Sequence, residues 1–246
     1  KIVTIKAGNG YTHHFIENGT LLDKIVKNSD NSIITNFEYN TLGKLIKVTI
    51  FDNEIIIVSF SYNNNLLEKI IRKEGNNEVS YDVVYDTNII YTYTNTLPNN
   101  VFSGKYTFNT NNKIIKEEHN YSSGTNSVEN FEYNTNGDIL KSNYTIGQNS
   151  GSYNYGVLEG IKNPMKTACE NIYIQYVLMN EILSKSFYLK FGIFSTEFTN
   201  YMNRNSPPTS HSFNYGVLNV QANGYPILGY HSDFSYNFDI EYYYKN

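Results

Sequence analysis

The segment FEYNTLGKLIK at residues 37–47 decides the fold, because it returns almost unchanged as FEYNTNGDILK at residues 131–141. Residues 106–116, YTFNTNNKIIK, repeat it again with Asn112 in place of glycine. In each copy two aromatic residues lie two positions apart and share one face of a strand. A turn rich in Asn and Gly follows, and then an apolar return strand begins. The unit is therefore a β-hairpin.

Weaker copies of this hairpin fill the intervals between the clear ones. A second series of turn signals falls near residues 30, 52, 75, 98, 124 and 148, so turns recur about every 11 to 12 residues. β-rich segments separated at this spacing predict a meander of antiparallel strands. We expect residues 1–155 to form six hairpin repeats, each paired with its neighbours because a lone hairpin is only marginally stable. Their turns are 22 to 25 residues apart and lie near Gly19, Gly43, Asn65, Asn88, Asn112 and Gly137.

The repeat lapses after residue 155. We expect residues 156–212 to be an irregular insertion, with a short irregular or helical stretch around residues 163–186. A helix could begin at Pro164 or later, near Val177, while residues 172–177 read equally well as a strand. Residues 213–246 predict a closing hairpin. The whole chain is thus predicted to be one all-β domain, an antiparallel meander forming a large curved or barrel-like sheet, and the sequence leaves open whether that sheet closes.

Composition narrows the classes of partner. The chain has 246 residues, 24 Tyr and 14 Phe, and a formal net charge of −4 without a basic block. It therefore lacks the basic footprint of a nucleic-acid-binding protein. Lys69, Arg72, Lys116 and Glu117 lie on predicted strands, where each Lys or Arg in the middle of a lipid-facing band would cost roughly 2–4 kcal/mol. We therefore expect a protein that does not span a membrane.

Residues with catalytic or metal-binding chemistry are few and scattered. Cys169 is the single cysteine, so no internal disulfide can form, and the adjacent His13 and His14 point to opposite faces of a strand. The other histidines are isolated, at His119, His211 and His231. The nearest approaches to a carboxylate pair are Glu117–Glu118 and Asp239/Glu241, which fit solvated strand faces. We expect no catalytic residues, no cofactor and no metal site, and hence no enzyme.

Aromatic side chains are the only abundant candidates for ligand contact. Three strands carry tyrosine pairs at a spacing of two residues, which places each pair on one face. Such rings could line a groove and stack on sugar rings or pack on peptide, or they could be cross-strand pairs that stabilise the sheet. The six candidates are Tyr91, Tyr93, Tyr153, Tyr155, Tyr242 and Tyr244.

The repeat unit resembles the YD (tyrosine–aspartate, RHS-like) repeats of large bacterial secreted shell proteins, which carry Tyr-Asp where this chain has Tyr-Asn. The whole-chain pattern also resembles secreted lipoproteins of Bacteroidetes, a family of unknown function with a porin-like β fold. That likeness lies in the hairpin copies, the NPMK segment at residues 163–166 and the GYP turn at residues 224–226. The resemblance implies a cell-envelope or extracellular location, and it supplies no catalytic residues.

These observations favour a non-catalytic cell-surface or secreted binding module, whose ligand would be a glycan, a peptide or an envelope protein. The alternative is a structural or assembly β-scaffold of the cell envelope without a small-molecule ligand. A signal or lipid anchor upstream of residue 1 would fit either role.

Overall fold

The computed structural model describes residues 2–7, 10–15, 21–51, 53–163, 200–206, 213–232 and 237–244. None of these residues is helical, so none of them belongs to a helix that could cross a membrane. They form 18 strands. The strands are β1 (Ile2–Ala7), β2 (Tyr11–Phe15), β3 (Leu22–Lys27), β4 (Ile33–Tyr39), β5 (Leu45–Phe51), β6 (Ile55–Asn63), β7 (Leu66–Glu74), β8 (Asn77–Asp86), β9 (Ile89–Thr94), β10 (Gly104–Phe108), β11 (Ile114–Asn120), β12 (Asn126–Tyr133), β13 (Ile139–Ile146), β14 (Asn149–Lys162), β15 (Asn200–Ser206), β16 (Phe213–Val220), β17 (Pro226–Ser232) and β18 (Asn237–Tyr244).

All these strands belong to one antiparallel sheet in which neighbours in sequence are neighbours in space. The ring of pairings closes because β1 pairs with both β2 and β18. Ile5 lies opposite His13 on one side and opposite Tyr242 on the other. Every described strand therefore has a partner along both edges. The prediction of an all-β antiparallel meander with a barrel-like sheet is confirmed, and the question of closure is answered.

Three of the repeat turns are organised by an asparagine side chain. In the turn between β4 and β5, Oδ1 of Asn40 accepts the backbone N–H of Leu42 at 3.0 Å and that of Lys44 at 2.9 Å. Gly43 completes the turn at a φ of +72°, which glycine adopts at little cost. Asn109 and Asn134 make the same pair of bonds in their turns. A carboxylate oxygen could accept the same two N–H groups, so Asn can replace the Asp of a Tyr-Asp repeat here.

Two repeat turns show how asparagine also replaces glycine. Asn64 and Asn65 have φ values of +47° and +67°, the pair of positive angles that a two-residue type I′ hairpin requires. Asn112 has a φ of +56° at the position that Gly43 and Gly137 occupy in their copies. Turns near residues 43, 65, 88, 112 and 137 are confirmed, and the predicted turn near Gly19 lies outside the described residues.

Tyrosine hydroxyls connect successive hairpins in what we term the tyrosine ladder, made of Tyr39, Tyr62, Tyr133 and Tyr244. Each is near or at the end of a strand, and each donates to a backbone carbonyl of a different hairpin. The acceptors are the carbonyl oxygens of Leu22, Leu45, Ile114 and Pro226, at 2.7, 2.5, 2.6 and 2.7 Å respectively. All four acceptors are buried residues that begin their strands, β3, β5, β11 and β17. The repeated tyrosine is thus a cross-hairpin tie as well as an apolar ring.

The inner face of the sheet carries the hydrophobic core. Its most buried part lies on β3 to β7, where Ile25, Val48, Val58 and Ile70 are 0% exposed. The first or second residue of each return strand continues this core around the ring. These residues are Leu22, Leu45, Leu67, Ile90, Ile114 and Ile139, all buried. Apolar residues at alternate positions therefore fix which face of each strand is inside.

The outer face carries ion pairs between neighbouring strands. Lys47 Nζ lies 2.9 Å from Glu38 Oε1, and Lys73 Nζ lies 2.8 Å from Glu78 Oε2. The side chains of these four residues are all substantially solvent-exposed. Pairs of this kind are worth little individually, but they mark the outer face as a hydrated one.

The region between the repeats and the closing strands differs from expectation at its edges. β14 continues to Lys162, and β15 occupies Asn200–Ser206, so both ends of the range predicted to be irregular contain strand. The two strands pair with each other, which satisfies their backbone groups in spite of the weak sequence repeat. β16 and β17 form the predicted hairpin, and β18 adds the strand that closes the ring. The sequence predicts residues 163–186 to be irregular or helical. All of them from residue 164 onward, including Cys169, lie outside the described residues.

Candidate functional site

The six candidate tyrosines do not line one groove. Tyr91 and Tyr93 on β9 lie on the outer face. They alternate with Ile90 and Thr92, which are buried on the inner face. The pairs on β14 and β18 lie on the inner face. They are Tyr153 and Tyr155, and Tyr242 and Tyr244. The structure thus separates the candidates into three pairs with different surroundings.

Tyr242 and Tyr244 are part of the core. Tyr242 is 4% exposed and packs within the main hydrophobic cluster. Tyr244 donates its hydroxyl to the carbonyl of Pro226, and its ring centroid lies 5.9 Å from that of Tyr225. Their environment supports the structural interpretation of this pair.

Tyr153 and Tyr155 belong to a more polar part of the inner face. The Tyr153 ring packs on Tyr144 at 5.2 Å between centroids, and the hydroxyls of Tyr155 and Ser142 are hydrogen-bonded at 3.3 Å. Burial raises the pKa of the Tyr155 hydroxyl, and the nearby carboxylate of Glu129 adds to that effect. Burial also raises the pKa of Tyr153. Both phenols therefore remain neutral in the physiological range and serve as hydrogen-bonding groups in the wall.

The acidic residues Glu117 and Glu129 lie opposite each other on β11 and β12, on this same inner face. His119 Nε2 lies 3.6 Å from Glu117 Oε2, and the His119 ring meets Tyr106 edge-on at 5.5 Å. A protonated imidazole would form an ion pair with Glu117. Glu118 points the other way, towards Lys105 and Lys116, as expected for neighbours on a strand. Within the described part of the chain, no three His, Cys, Asp or Glu residues are grouped so that they could hold a metal ion.

Tyr91 and Tyr93 form the centre of an aromatic patch on the outer face, which we define as Val84, Tyr91, Tyr93 and Phe102. The two tyrosine rings are stacked, with centroids 6.3 Å apart and planes at 28°. Phe102 meets Tyr91 edge-on at 6.0 Å and 61°. Val84 lies directly opposite Tyr91 on β8 and is 46% exposed. Neither tyrosine hydroxyl has a hydrogen-bond partner among the described residues.

The connection between β9 and β10, residues 95–103, holds Phe102 in this patch. This connection is a loop that is longer than the two- to five-residue turns typical of hairpins. Ser103 donates its backbone N–H to the carbonyl of Thr92 at 2.7 Å, and the buried hydroxyls of the two residues are 2.9 Å apart. The side-chain amide of Asn120 donates to the carbonyl of Phe102 at 2.9 Å. These bonds fix the peptide group between Phe102 and Ser103.

Paired charges surround the aromatic patch. Lys69 Nζ lies 3.6 Å from Asp82 Oδ1, and Asp82 is the cross-strand neighbour of Tyr93. Lys105, the cross-strand neighbour of Tyr91, lies 3.1 Å from Glu118, which also contacts Lys116 at 3.0 Å. Burial by itself raises the pKa of Glu118, but hydrogen bonds from Lys116 and Lys105 outweigh it and hold the pKa below its ordinary value. Each charge beside the rings therefore already has a partner of opposite sign, and Glu118 is shared between two lysines.

Sequence reasoning identified Tyr91 and Tyr93 but missed Val84 and Phe102. Strand alternation could have placed Val84 on the same face as Tyr91, given the register between β8 and β9. The signal for Phe102 is the length of the run 95–103, which exceeds that of the other turn segments of the repeats. From the sequence, this run indicates only a turn near Pro98. The contact between this loop and the strand depends on folding and has no local sequence signature.

Comparisons with known proteins give structural similarity at low identity. A porin-like protein from Bacteroides uniformis covers 99% of this chain and 98% of its own, with a TM-score of 0.49 and 10% identity. A porin-like protein from Bacteroides vulgatus gives the same coverage, with a TM-score of 0.37 and 9% identity. The Photorhabdus luminescens Tc holotoxin pore matches 96% of this chain over 13% of its own, with a TM-score of 0.34 and 11% identity. No family model and no curated protein matches the chain.

Proposed function

We propose that this protein is a non-catalytic binding module of the cell envelope, surface-anchored or secreted, and that it contacts its ligand through the outer-face aromatic patch. The observation that carries the proposal is the stacked pair Tyr91 and Tyr93, whose hydroxyls are unbonded to described residues while Phe102 is held against them by an anchored loop. The sequence-based candidates for the ligand were a glycan, a peptide or an envelope protein.

Preorganisation supports a binding role for the patch. A ring fixed before the ligand arrives loses less conformational entropy on binding than a mobile side chain does. Phe102 is fixed through Asn120 and through the buried bond between Ser103 and Thr92. Tyrosine combines a large apolar surface with a polar hydroxyl, which suits it to contacts at a wet interface. The patch therefore offers both stacking surface and hydrogen-bonding capacity.

The chemistry around the patch supports a non-catalytic role. Its polar groups are phenols and ion-paired side chains, and none is arranged as a nucleophile next to a general base. The paired lysines also provide no exposed basic surface for nucleic acid.

The outer-face ion pairs support a location in water rather than in lipid. Each Lys or Arg side chain that faces the middle of a bilayer costs roughly 2–4 kcal/mol. A strand with two such side chains would therefore lose several kcal/mol in a lipid-facing position. On the outer face, Lys47 lies on β5, Lys69 and Lys73 lie on β7, and Lys105 lies on β10. We therefore place the barrel-like sheet outside the hydrocarbon core, held at the envelope by an anchor or released from it.

A structural scaffold remains a second candidate function because of the closed ring and its tyrosine ladder. A sheet with partners along every described edge is protected from pairing with other chains. Such a sheet could serve as a rigid spacer without a ligand. The two functions differ in one testable respect, since only the binding module needs the aromatic patch.

The proposed function can be tested with the wild-type protein, the double variant Tyr91→Ala/Tyr93→Ala and the control Tyr243→Ala. Tyr243 is 47% exposed and lies on the outer face of β18, away from the patch. Each protein would be applied to glycan and peptide arrays and to immobilised envelope proteins. We expect a ligand that wild type and the control bind and the double variant does not. Binding by none of the three proteins would favour the scaffold, and equal binding by all three would contradict the assignment of the ligand site to the aromatic patch.

A further inference from the structure

The aromatic patch has features that single out one class of ligand. We infer that it binds a neutral, extended glycan, an inference that rests on the proposed function and specifies the ligand of the same site. Four features point to this ligand: the stacked rings, their hydroxyls without a described hydrogen-bond partner, the paired charges and the fully paired strands around the patch.

The two tyrosine rings match the shape and chemistry of successive sugar units. A pyranose ring has a face of C–H groups that packs on an aromatic ring, and an edge of hydroxyls that both donate and accept hydrogen bonds. Tyr91 and Tyr93 follow one strand at a centroid spacing of 6.3 Å and an angle of only 28°. They therefore form a pair of nearly parallel rings along the strand, and no described residue hydrogen-bonds either phenol hydroxyl that could meet a sugar.

The charges beside the two tyrosine rings disfavour an ionic ligand. Asp82 is paired with Lys69, and Lys105 is paired with Glu118, so a charged polymer would have to compete with an existing partner at either side. An acidic glycan or a nucleic acid requires unpaired cations along its path. An uncharged polymer leaves both ion pairs intact.

The pairing of the strands disfavours an extended peptide as the ligand. Peptides that bind to sheets usually add a strand to a free edge and derive affinity from main-chain hydrogen bonds. β8 pairs with β7 and β9, and β9 pairs with β8 and β10. No such edge is available at Tyr91 and Tyr93, so the ligand must bind through the side chains that stand on the sheet.

The test is native affinity electrophoresis in gels containing one soluble polymer each. The neutral polymers would be hydroxyethyl cellulose, laminarin, galactomannan and xyloglucan, and the anionic ones polygalacturonate and heparin. The proteins would be wild type, Tyr91→Ala, Tyr93→Ala, Tyr91→Phe, Tyr93→Phe and the control Tyr243→Ala. Folding of each variant would be checked by its urea-unfolding midpoint, so that loss of binding is not confused with loss of structure.

We expect at least one neutral polymer to retard the wild type and the control. Each Ala variant should bind that polymer about tenfold more weakly, because a stacking ring is lost, while each Phe variant keeps the ring and most of the affinity. Binding should be nearly insensitive to salt, since no charge is neutralised.

Three outcomes would overturn the glycan inference. Retardation by the anionic polymers alone, abolished by salt, would show that the ion pairs open for a charged ligand. A peptide ligand on the arrays that the Ala variants lose would leave the proposed binding function standing and the ligand class wrong. Absence of retardation by every neutral polymer would also contradict the inference. If the arrays, too, showed no ligand that depends on Tyr91 and Tyr93, the proposed function itself would be wrong.

Discussion

Tyrosines of the ladder and tyrosines of the aromatic patch lie on the same sheet but in opposite environments. Tyr39 and Tyr133 are partly buried on the inner face, and their hydroxyls donate to the carbonyls of Leu22 and Ile114. Tyr91 and Tyr93 stand on the outer face, and no described group accepts a hydrogen bond from either hydroxyl. The difference teaches that the repeated tyrosine is a structural tie, whereas the outer-face pair Tyr91 and Tyr93 makes no such tie to a described residue.

The largest effect on stability should come from removing a ladder tyrosine. Tyr133→Ala deletes a ring packed against the buried Ile139 and Tyr155, together with the tie to Ile114, and we expect the free energy of unfolding to fall by about 3 kcal/mol. Urea unfolding would measure this loss. Tyr121→Ala is the matched control, because Tyr121 is exposed on a loop and should cost about 0.5 kcal/mol or less. An unchanged midpoint for Tyr133→Ala with loss of ligand binding would reverse the roles of the two sets.

A smaller loss should follow from a bulky residue at a repeat glycine. Gly43→Val places a β-branched side chain at a φ of +72°, which should destabilise the fold by about 1–2 kcal/mol. Gly43→Asn should cost much less, because Asn112 adopts a φ of +56° at the same position of another copy. Thermal unfolding of the two variants side by side would separate backbone strain from added volume. Equal melting temperatures for the Val and Asn variants would show that the turn conformation is not limiting.

The side chain of the turn asparagine should stabilise the fold by about as much as the two hydrogen bonds that it accepts. Asn40→Ala removes the acceptor for the N–H groups of Leu42 and Lys44, and should lower the free energy of unfolding by about 1 kcal/mol. Asn40→Asp should keep most of that stability at neutral pH, because a carboxylate oxygen accepts both bonds. Chemical denaturation of the pair tests whether Tyr-Asn and Tyr-Asp repeats are interchangeable in this turn. An Asp variant as unstable as the Ala variant would contradict it.

The smallest effect concerns the ion pair beside the aromatic patch. The pKa of Glu118 is lower in the folded protein than in the unfolded chain, because hydrogen bonds from Lys116 and Lys105 outweigh the opposing effect of burial. Its carboxylate therefore stabilises the fold above the unfolded pKa, and that contribution is lost as pH falls through the folded pKa. Between about pH 6 and about pH 3, wild type should lose slightly more stability than Glu118→Gln, by a fraction of a kcal/mol after solvent screening. Identical pH profiles would show that the pair is not formed in solution.

The repeat made most of the fold predictable from the sequence. Gly43, Gly137 and the Asn residues of the turns specify where the chain reverses, and Phe37 and Tyr39 specify which face turns inward. Both signals are local, and they recur often enough to fix an antiparallel meander. The closing contact of β1 with β18 joins opposite ends of the chain, so no local pattern reports it.

The candidate site was only half predictable. The spacing of two residues correctly placed each tyrosine pair on one face, but it could not say which face, because that depends on register against strands elsewhere in the ring. Ile90 and Thr92 are buried and thereby turn Tyr91 and Tyr93 outward, while on β18 the buried residue is Tyr242 itself. The position of Phe102 follows from the hydrogen bond with Asn120, which is 18 residues distant in the chain.

One paired measurement tests the separation of the two tyrosine sets most directly. The unfolding free energy and the dissociation constant for the ligand found on the arrays would be measured for Tyr39→Phe and for Tyr91→Ala/Tyr93→Ala. Tyr39→Phe removes only the hydroxyl that donates to Leu22, and we expect it to lose about 1 kcal/mol of stability with unchanged ligand affinity. The double variant should remain folded and bind at least about tenfold more weakly. Loss of affinity in Tyr39→Phe, with full affinity in the double variant, would contradict the assignment of recognition to the outer face.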